Sequence, residues 1–441
     1  MNTKEPIRFD MTGIAKVSVQ GYKSIYQEQA IDIAPLTLLA GANSSGKSSM
    51  MQPLLLLKQT LEARYNTLFL QLEGNHVKFT STAQLFSQLG SQKGLDEFSI
   101  GIEMEDGETV NIVYKASSHD ELYVEKFIFH RPNTPTYEIS SGMSHKQILA
   151  ILPDELKARE KDGCQWVVER GSCLLDIVLQ TQGNLPIISQ DSLTFPVRFL
   201  QERHIDRMIH LPGLRGNPER HYPTTAVYNT NQVVGPFENY VARLIRDWQI
   251  NNIHLEELGQ ALEKLGLTWK VEAKPVDANH VELRVGRLVD EQREADLVSI
   301  ADVGFGVSQT LPVIVALLVA KPGQIVYIEQ PEIHLHPRAQ IKMAELLADA
   351  ANRGVKVVAE THSSLLLRGV QTLVTKGQLA PERVKLHWFT RDKNGATVVD
   401  TAALDENGAF GEEWPEDFGE VELHAEQAYL DAVMYKQAQQ Q

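Results

Sequence analysis

The chain has 441 residues, of which 43% are hydrophobic and 22% charged, and it carries a formal net charge of −15 at pH 7. This length exceeds the size at which one hydrophobic core keeps growing, so we expect two lobes or a core with a large insertion. The acidic balance argues against a surface that coats DNA, because neutralising phosphates requires clustered Lys and Arg. A local basic groove stays open as a secondary hypothesis.

No segment of the sequence has the pattern expected of a membrane anchor or a secretory signal. A membrane span needs roughly 18 to 20 apolar residues, and the longest apolar stretch, Thr310–Ala320, is shorter. The amino-terminal residues are polar and charged where a secretory signal is apolar. Cys164 and Cys173 are the only cysteines, too few for a disulfide framework, and we interpret both as incidental. We expect a cytoplasmic protein without membrane contact.

The amino-terminal region predicts strand, glycine-rich turn and helix in succession. Short strands are predicted at Ile14–Gln20 and Ala30–Ile33, and the apolar run Leu36–Ala40 leads directly into the turn. The stretch Ser48–Leu61 has the length and composition of a helix, in which Pro53 predicts a kink or an early break. This order is the setting in which a phosphate-binding loop occurs.

The turn itself carries a phosphate-loop motif, because residues 41–48 read GANSSGKS and fit GxxxxGK[ST]. Gly41 and Gly46 permit backbone angles that aim successive N–H groups at phosphates. We expect Lys47 to contact the β- and γ-phosphates and Ser48 to offer Mg²⁺ a hydroxyl. A chance glycine-rich turn is the alternative, which the flanking strand and helix disfavour. The candidate ATP-binding residues are Gly41, Asn43, Ser44, Ser45, Gly46, Lys47, Ser48 and Ser49.

The middle of the chain changes character. Strand-like runs separated by turn residues fill Phe98–Phe129 and predict an antiparallel layer. Residues 140–275 are mixed, with helical patterns at Phe237–Trp248 and Leu255–Leu265. No heptad repeat is sustained, so we do not expect a long coiled-coil arm.

Buried-strand patterns return at Gln324–Ile328 and Val355–Ala359, each beside a helical pattern. The nucleotide core is therefore expected to be assembled from two ends of the chain. We predict residues 1–75 as its first part, 76–290 as the antiparallel layer with an insertion lobe, and 291–441 as its second part with a tail.

The first of these strands ends in acidic residues, as a Walker B element does. Glu329 stands at the carboxyl end of the strand, where we expect it to hold Mg²⁺ directly or through water. Glu332, His334 and His336 follow, and could alternatively be read as zinc ligands. We favour packing and helix capping for the two histidines.

Two further motifs belong to the same region. The second strand is followed by residues 360–364, ETHSS, and His362 is placed to donate to a γ-phosphate or to orient the attacking water. Residues 302–309, DVGFGVSQ, form a glycine-containing loop before the apolar helix Thr310–Ala320. Backbone amides of this loop and Ser308 are candidates to meet a phosphate at the helix amino terminus.

These motifs, in this order and with the stretch HLPGLRGNPER, resemble the RecF, SMC and OLD branch of ABC ATPases. The resemblance is closest to stand-alone bacterial AAA-type ATPases of that branch, many of them in anti-phage defence systems beside a nuclease. It implies an α/β fold with an ABC-like head: a mixed sheet flanked by helices, an antiparallel β layer and an α/β insertion. It also implies a head-to-tail dimer around Mg-ATP. The residues that would act on the partner's ATP are Asp302, Gly304, Gly306, Ser308 and Gln309.

Gln330 departs from the family pattern, because it stands where a typical ABC ATPase has the glutamate that polarises the attacking water. An amide does not accept a proton as a carboxylate does. Either Glu332 takes that role, or hydrolysis is slow and the protein acts mainly as an ATP-gated clamp.

OLD-type nucleases carry a Toprim domain after the ATPase core. Only about 80 residues follow His362, without a convincing acidic strand motif, so we expect no nuclease of its own. Our leading interpretation is an ATPase that senses or scaffolds for an effector such as a nuclease, in anti-phage defence. The alternatives are a RecF-like repair ATPase that clamps DNA directly, and an ATP-binding scaffold without turnover.

Overall fold

A computed structural model describes residues 13–63, 69–90, 94–160, 163–171, 174–181, 204–287, 296–411 and 427–432. The strands of these ranges are β1 (Ile14–Gln20), β2 (Gln29–Asp32), β3 (Leu36–Gly41), β4 (Glu97–Met104), β5 (Thr109–Ala116), β6 (Leu122–His130), β7 (Tyr137–Ser140), β8 (Cys164–Gly171), β9 (Leu174–Thr181), β10 (Ile209–Leu211), β11 (Tyr222–Pro223), β12 (Val271–Pro275), β13 (His280–Gly286), β14 (Leu297–Ser299), β15 (Ile325–Glu329), β16 (Lys356–Thr361), β17 (Val384–Arg391) and β18 (Thr397–Ala402). The α-helices are α1 (Lys47–Leu61), α2 (His145–Ile151), α3 (Asp154–Lys157), α4 (Glu238–Asn251), α5 (Leu255–Lys264), α6 (Phe305–Val319), α7 (Pro337–Asn352) and α8 (Ser364–Thr375), and residues 427–432 are also helical.

Two six-stranded sheets dominate the fold. One is antiparallel, in the order β2-β1-β4-β5-β6-β7. The other has the order β10-β15-β16-β3-β17-β18, and its first five strands are parallel, with β18 antiparallel at the edge. A smaller sheet of β11 to β14 and the hairpin of β8 and β9 complete the β structure of the described ranges. The predicted fold class, a mixed sheet flanked by helices with an antiparallel layer, is confirmed.

Burial explains why the two large sheets differ in sequence pattern. Every residue of β3 and β16 is buried, since helices or the second sheet cover both faces, and their sequences, LTLLAG and KVVAET, lack the alternation of a half-exposed strand. Strand β4 instead alternates buried and accessible positions, because only one face packs on a core. Helices α4 to α8 share one hydrophobic core with the parallel sheet, and α1 shares a second core with the antiparallel sheet.

Helix α1 does not end early at Pro53, so that part of the expectation is wrong. The helix runs without a break from Lys47 to Leu61 and keeps Pro53 inside it. Nearly all of its residues from Met50 to Thr60 are buried, and it packs against both β1 and β3. Packing on both sides offsets the backbone hydrogen bond that a proline removes.

The regions predicted from the sequence do not coincide with the sheets. Strands β1 and β2 precede the P-loop but pair within the antiparallel sheet. Strand β10 lies inside the predicted insertion and yet forms an edge of the parallel sheet beside β15. Across the described ranges, no helix is long and apolar enough to cross a membrane.

Candidate nucleotide site

The candidate site lies where three neighbouring parallel strands end. The P-loop follows β3, Glu329 ends β15, and Glu360 lies near the end of β16, which runs between the other two. In the sheet register Glu329 pairs with Glu360. Ligands of parallel α/β sheets collect at the carboxyl ends of strands, so the predicted P-loop and Walker B residues come together as expected.

The P-loop needs glycine at two positions. Gly41 and Gly46 have φ values of 140° and 112°, and a side chain at Gly41 would collide with the carbonyl of Phe389. A side chain at Gly46 would collide with Thr397. Ser44 is also left-handed, with φ 59°, which a residue other than glycine adopts only when its surroundings hold it there.

The β17–β18 hairpin supplies part of that support. Thr397 Oγ1 donates to the Ser45 carbonyl at 2.8 Å, and Arg391 Nε donates to the Ser44 carbonyl at 2.8 Å. Ser24 hydrogen-bonds to Thr397 as well, which ties the loop after β1 to the same group. The P-loop is therefore held by segments distant in sequence.

A cleft of about 270 Å³ opens over the loop. It is lined by Lys23, Ser24, Ser44, Ser45, Gly46, Lys47, Ser48, Ser49 and Arg391. Of the predicted set, Gly41 and Asn43 lie outside this lining, and Asn43 is exposed. Within the described part of the chain the buried Ser45 hydroxyl has no hydrogen-bond partner, as expected for a group that serves a ligand.

Lys47 lies against its own loop. Its Nζ donates to the carbonyls of Gly41 at 3.1 Å and Ala42 at 2.8 Å. Burial lowers the pKa of Lys47, while the negative charge of Glu360 partly opposes this. The ammonium group is thus desolvated in advance, which strengthens its interaction with a phosphate.

Glu329 is fixed by donors on both carboxylate oxygens. His210 Nε2 lies 3.2 Å from Oε1, and the backbone N–H of Gly213 donates to Oε2 at 3.1 Å. Burial alone would raise the pKa of Glu329, but the hydrogen bond and charge of His210 and the Gly213 bond outweigh it and lower the pKa. Glu329 therefore stays ionised at neutral pH, as a magnesium ligand must.

Glu360 is buried between the P-loop and the Walker B strand. Ser48 Oγ donates to its Oε2 at 2.8 Å, and the Tyr327 hydroxyl donates to its Oε1. Burial, followed by repulsion from Glu329, raises the pKa of Glu360 to about 7. Of the two glutamates at these strand ends, Glu360 is the one whose carboxylate contacts the P-loop serine, Ser48.

The turn after β15 connects the Walker B strand to His362. Glu332 is buried, and its Oε1 accepts from Thr361 Oγ1 at 2.7 Å and from the His362 N–H at 3.0 Å. Its Oε2 has no partner among the described residues, and burial raises its pKa. Burial, and then the charge of Lys47, lowers the pKa of His362, so this imidazole is neutral at pH 7. Gln330 begins the turn in a left-handed conformation, with φ 48°.

The glycine-containing segment at residues 302–309 is partly helical, whereas a loop was predicted there. Helix α6 begins at Phe305, five residues before the predicted start. Gly304 is exposed with open space at its Cβ position, and Ser308 donates to the Phe305 carbonyl. Gln309 points inward and donates to the Gly216 carbonyl at 2.7 Å, so it does not belong with the groups available to a second chain.

Two other predicted residues of this region are engaged within the chain. The carboxylate of Asp302 accepts two hydrogen bonds from Arg220, at 2.7 and 3.1 Å. Gly306 lies against Leu267 and the His334 carbonyl, so a side chain there would be crowded.

Arg215, which lies in the HLPGLRGNPER stretch, joins the two halves of the site. Its guanidinium donates to the carbonyls of Glu329 at 2.6 Å and Gln330 at 3.3 Å, and also to the carbonyl of Gln309 at 3.2 Å. Burial lowers the pKa of Arg215 to about 10, and nearby carboxylates oppose this. The Walker B strand and the helix α6 amino terminus are thereby linked through one buried cation.

The two histidines weighed as zinc ligands have other partners. His336 caps helix α7 by accepting from the Arg338 N–H, and the His334 ring lies 5.6 Å from that of Phe305. Over the ranges described, no three His, Cys, Asp or Glu side chains cluster in a way that could hold a metal.

Sequence reasoning missed several of these residues. Glu360 could have been found, because it stands at a strand end as Glu329 does. Arg215 lies within a stretch whose resemblance was noted. His210 is the first residue of the same stretch, whereas Arg391 and Thr397 carry no local signal, since strand pairing alone brings them to the site.

Two segments of the chain match known protein families. Residues 13–163 match the family described as AAA ATPase domain. Residues 256–368 match the one described as AAA domain, putative AbiEii toxin, Type IV TA system. The first segment contains the P-loop, and the second contains Glu329, Glu332 and His362, so both halves of the site lie in segments that are similar to AAA-type ATPase domains. A comparison with curated proteins finds no match.

A comparison with solved structures finds heads of SMC proteins. The SmcHead bound to the C-winged helix domain of ScpA is 12% identical, with a TM-score of 0.47 over 89% of this chain and 98% of that chain. The SMC head domain from Thermotoga maritima is 11% identical, with a TM-score of 0.38 over 88% and 98%. The Smc head domain with an extended coiled coil, bound to the C-terminal domain of ScpA derived from Pyrococcus furiosus, is 11% identical, with a TM-score of 0.45 over 89% and 97%.

Proposed function

We propose that this chain is an ATPase that binds Mg-ATP in the P-loop cleft and hydrolyses it, slowly if Gln330 leaves water activation incomplete. One observation carries the proposal. The P-loop lysine and serine lie beside the buried carboxylate of Glu360 at the carboxyl edge of a parallel sheet, and Glu360 pairs with Glu329 in the strand register. That combination offers cationic and N–H donors to phosphates and oxygen ligands to a hard divalent cation.

The residues present fit a magnesium-bound triphosphate. Gly41 and Gly46 adopt the positive-φ backbone that a phosphate loop requires, and the residues from Ser44 to Ser49 line the cleft. Ser48 and Glu329 would hold the cation, whose bound form supplies charge neutralisation to the phosphates. Lys47 would leave its two carbonyl acceptors to donate to the β- and γ-phosphates.

We assign water activation to the turn after β15. Glu332 is the carboxylate of this turn, and burial raises its pKa, which makes it a stronger base than a solvent-exposed glutamate. Neutral His362 would contact the γ-phosphate side, and Gln330 would orient the water without taking its proton. The hydrogen bond from the His362 N–H to Glu332 supports this grouping, because it keeps the two residues in contact.

We further propose a head-to-tail homodimer or higher homo-oligomer in which Gly304, Gly306 and Ser308 complete the partner's ATP site. The exposed side chains of Phe305 and Leu214, at 49% and 84%, support a surface that becomes covered. Phe305 lies against His334, and Leu214 follows Gly213, which binds Glu329. Both therefore flank the turn that contains the catalytic candidates.

In the cell, we propose a cytoplasmic ATPase that relays an ATP-dependent change to an effector protein such as a nuclease, in anti-phage defence. The effector and the role in defence are proposed from the resemblance of the motifs to stand-alone bacterial AAA-type ATPases. The alternative remains a RecF-like ATPase that clamps DNA directly.

The first experiment measures ATP affinity by calorimetry, turnover by phosphate release, and mass in solution with and without Mg-ATP. Tight Mg-dependent binding with turnover and a doubling of mass is the expected result. Turnover stimulated by duplex DNA alone would favour the clamp, whereas stimulation by a co-purified effector favours the relay. Absence of nucleotide binding would overturn the proposal.

The second experiment tests sharing of the sites between chains. A Lys47→Ala chain mixed with a Ser308→Arg chain assembles heterodimers with one composite site intact and one carrying both defects. Each variant alone should be inactive and the mixture partly active. If heterodimers form and the mixture stays inactive, independent sites completed by the partner are the wrong description.

A further inference from the structure

We propose that Glu360 is a positioning residue of the metal site. Its carboxylate accepts the hydroxyl hydrogen of Ser48, so that the oxygen of Ser48 faces a divalent cation bound to the nucleoside triphosphate. The proposal rests on the proposed function and deepens it by naming a second carboxylate. Neither the P-loop motif nor the Walker B motif includes this residue.

The contacts of Glu360 leave its carboxylate one orientation. Oε2 accepts from Ser48 Oγ at 2.8 Å, and Oε1 accepts from the hydroxyl of Tyr327, a fully buried residue of β15. The backbone is fixed too, because the Glu360 carbonyl accepts from the Gln330 N–H at 2.8 Å. Glu360 is thus held at both carboxylate oxygens and at its backbone carbonyl, so its carboxylate fixes the orientation of the hydroxyl that it contacts.

The chemistry of a hydroxyl then determines how Ser48 is presented. A serine hydroxyl has one hydrogen and two lone pairs. Because the hydrogen is donated to Glu360, the lone pairs stay free to serve as an oxygen ligand, the type that Mg²⁺ prefers. Without an acceptor at Glu360, the hydroxyl could turn its hydrogen toward the cation and lose that role.

The local charge balance points to the same ligand. Glu329 and Glu360 lie side by side in the strand register, and Glu360 is almost completely buried. The positive charge of Lys47 lowers the pKa of Glu360, but the ammonium group of Lys47 donates its hydrogen bonds to the Gly41 and Ala42 carbonyls instead of to Glu360. Two adjacent carboxylates in a poorly solvated site repel each other, and a divalent cation between the strand ends and Ser48 would relieve that repulsion.

The substitution that isolates this role is Glu360→Gln. Glutamine keeps the shape but offers one acceptor oxygen, for which the hydroxyls of Ser48 and Tyr327 then compete. Its amide hydrogens also donate, so one of them would occupy a lone pair of the Ser48 oxygen. The matched control is Glu238→Gln, because Glu238 is a largely buried carboxylate whose pKa burial raises and which is not among the cleft-lining residues.

The measurement is the Mg²⁺ concentration that half-saturates binding of a non-hydrolysable ATP analogue, followed by calorimetry. Glu360→Gln should raise this concentration at least tenfold and leave binding in EDTA within about twofold, since Lys47 and the loop amides remain. Ser48→Ala should cause a similar loss. The double variant should be no worse than either single one, because Glu360 acts through Ser48. Glu238→Gln should match the wild type.

Additive losses in the double variant, or an unchanged Mg²⁺ requirement in Glu360→Gln, would overturn the proposal. If Glu360→Gln does not fold, Tyr327→Phe removes one anchor of the carboxylate and should raise the Mg²⁺ requirement, and an unchanged requirement there overturns the proposal as well. A wild-type chain that binds no nucleotide refutes the proposed function instead. The two failures are therefore distinguishable.

Discussion

The ammonium group of Lys58 lies 2.9 Å from the carboxylate of Glu62, one turn further along, and both side chains are withdrawn from solvent. Glu62 also contacts His76, whose other ring nitrogen lies 3.2 Å from His210, the residue that holds Glu329. A buried chain of ionisable groups therefore extends from the last turns of α1 to the Walker B carboxylate.

This chain predicts a measurable acid sensitivity. Burial alone would raise the pKa of Glu62, but the hydrogen bond from His76 and the charge of Lys58 outweigh it and lower the pKa to about 2. Because the folded pKa lies below the unfolded one, the stabilisation is complete above pH 4.5 and is lost as the pH falls toward 2. It amounts to at most about 3 kcal/mol. Denaturant unfolding of wild type and Glu62→Gln should differ most at pH 7, with the gap closing near pH 3. A gap that does not depend on pH would contradict the assignment.

Lys47→Ala should abolish tight ATP binding without unfolding the chain. Removing a buried charge-assisted contact costs roughly 2 to 4 kcal/mol, or about 30- to 1,000-fold in affinity. Calorimetry measures the affinity, and circular dichroism verifies the fold. Lys342→Ala, at a half-exposed lysine of α7, is the matched control and should bind as the wild type does. Unchanged affinity in Lys47→Ala would refute its role.

Single-turnover hydrolysis separates the three residues of the Walker B turn. Glu332→Gln should trap ATP, with the rate lowered by roughly 10²- to 10⁴-fold, because an amide does not serve as a general base. Glu329→Gln should instead weaken Mg-dependent binding, and Gln330→Glu should speed hydrolysis by restoring a carboxylate. If Glu332→Gln turns over at the wild-type rate while Gln330→Ala does not, the water is organised by Gln330 or His362.

Arg215→Lys should uncouple hydrolysis from nucleotide binding. A lysine cannot reproduce the planar fork that bonds three carbonyls on two elements, so the turn after β15 loses its link to helix α6. We expect turnover to fall about tenfold or more, with ATP affinity within about threefold. Arg243→Lys, at a partly exposed ion pair with Asp247, serves as the control. Equal losses in affinity and turnover would mean that Arg215 only supports the fold.

Local sequence patterns predicted the parts of the site that local structure determines. The P-loop lies between β3 and α1 because the apolar run, the glycines and the helix are contiguous. Glu329 and His362 were proposed as site residues because each lies at the carboxyl end of a buried strand. By contrast, the start of α6 was misplaced, because Gly304 and Gly306 look like loop residues although only Gly304 precedes the helix.

The residues that hold the P-loop and Glu329 in place could not be predicted from local sequence patterns. Arg391 and Thr397 reach the P-loop only because β17 pairs with β3, and His210 reaches Glu329 only because β10 pairs with β15. Such parallel pairings depend on which strands become neighbours, and periodicity along one segment does not specify this.

The distance along the chain between the P-loop and its supports has a consequence for synthesis. The bonds from Arg391 to Ser44 and from Thr397 to Ser45 span 347 and 352 residues. A ribosome therefore exposes the P-loop long before it delivers the strand that pairs with β3 and the side chains that fix the loop. We expect nascent chains stalled before residue 384 to carry the whole P-loop motif and yet fail to retain ATP, and chains released beyond residue 402 to retain it. Nucleotide capture would then report that the carboxyl-terminal half has been made and folded, so that unfinished chains do not take up ATP.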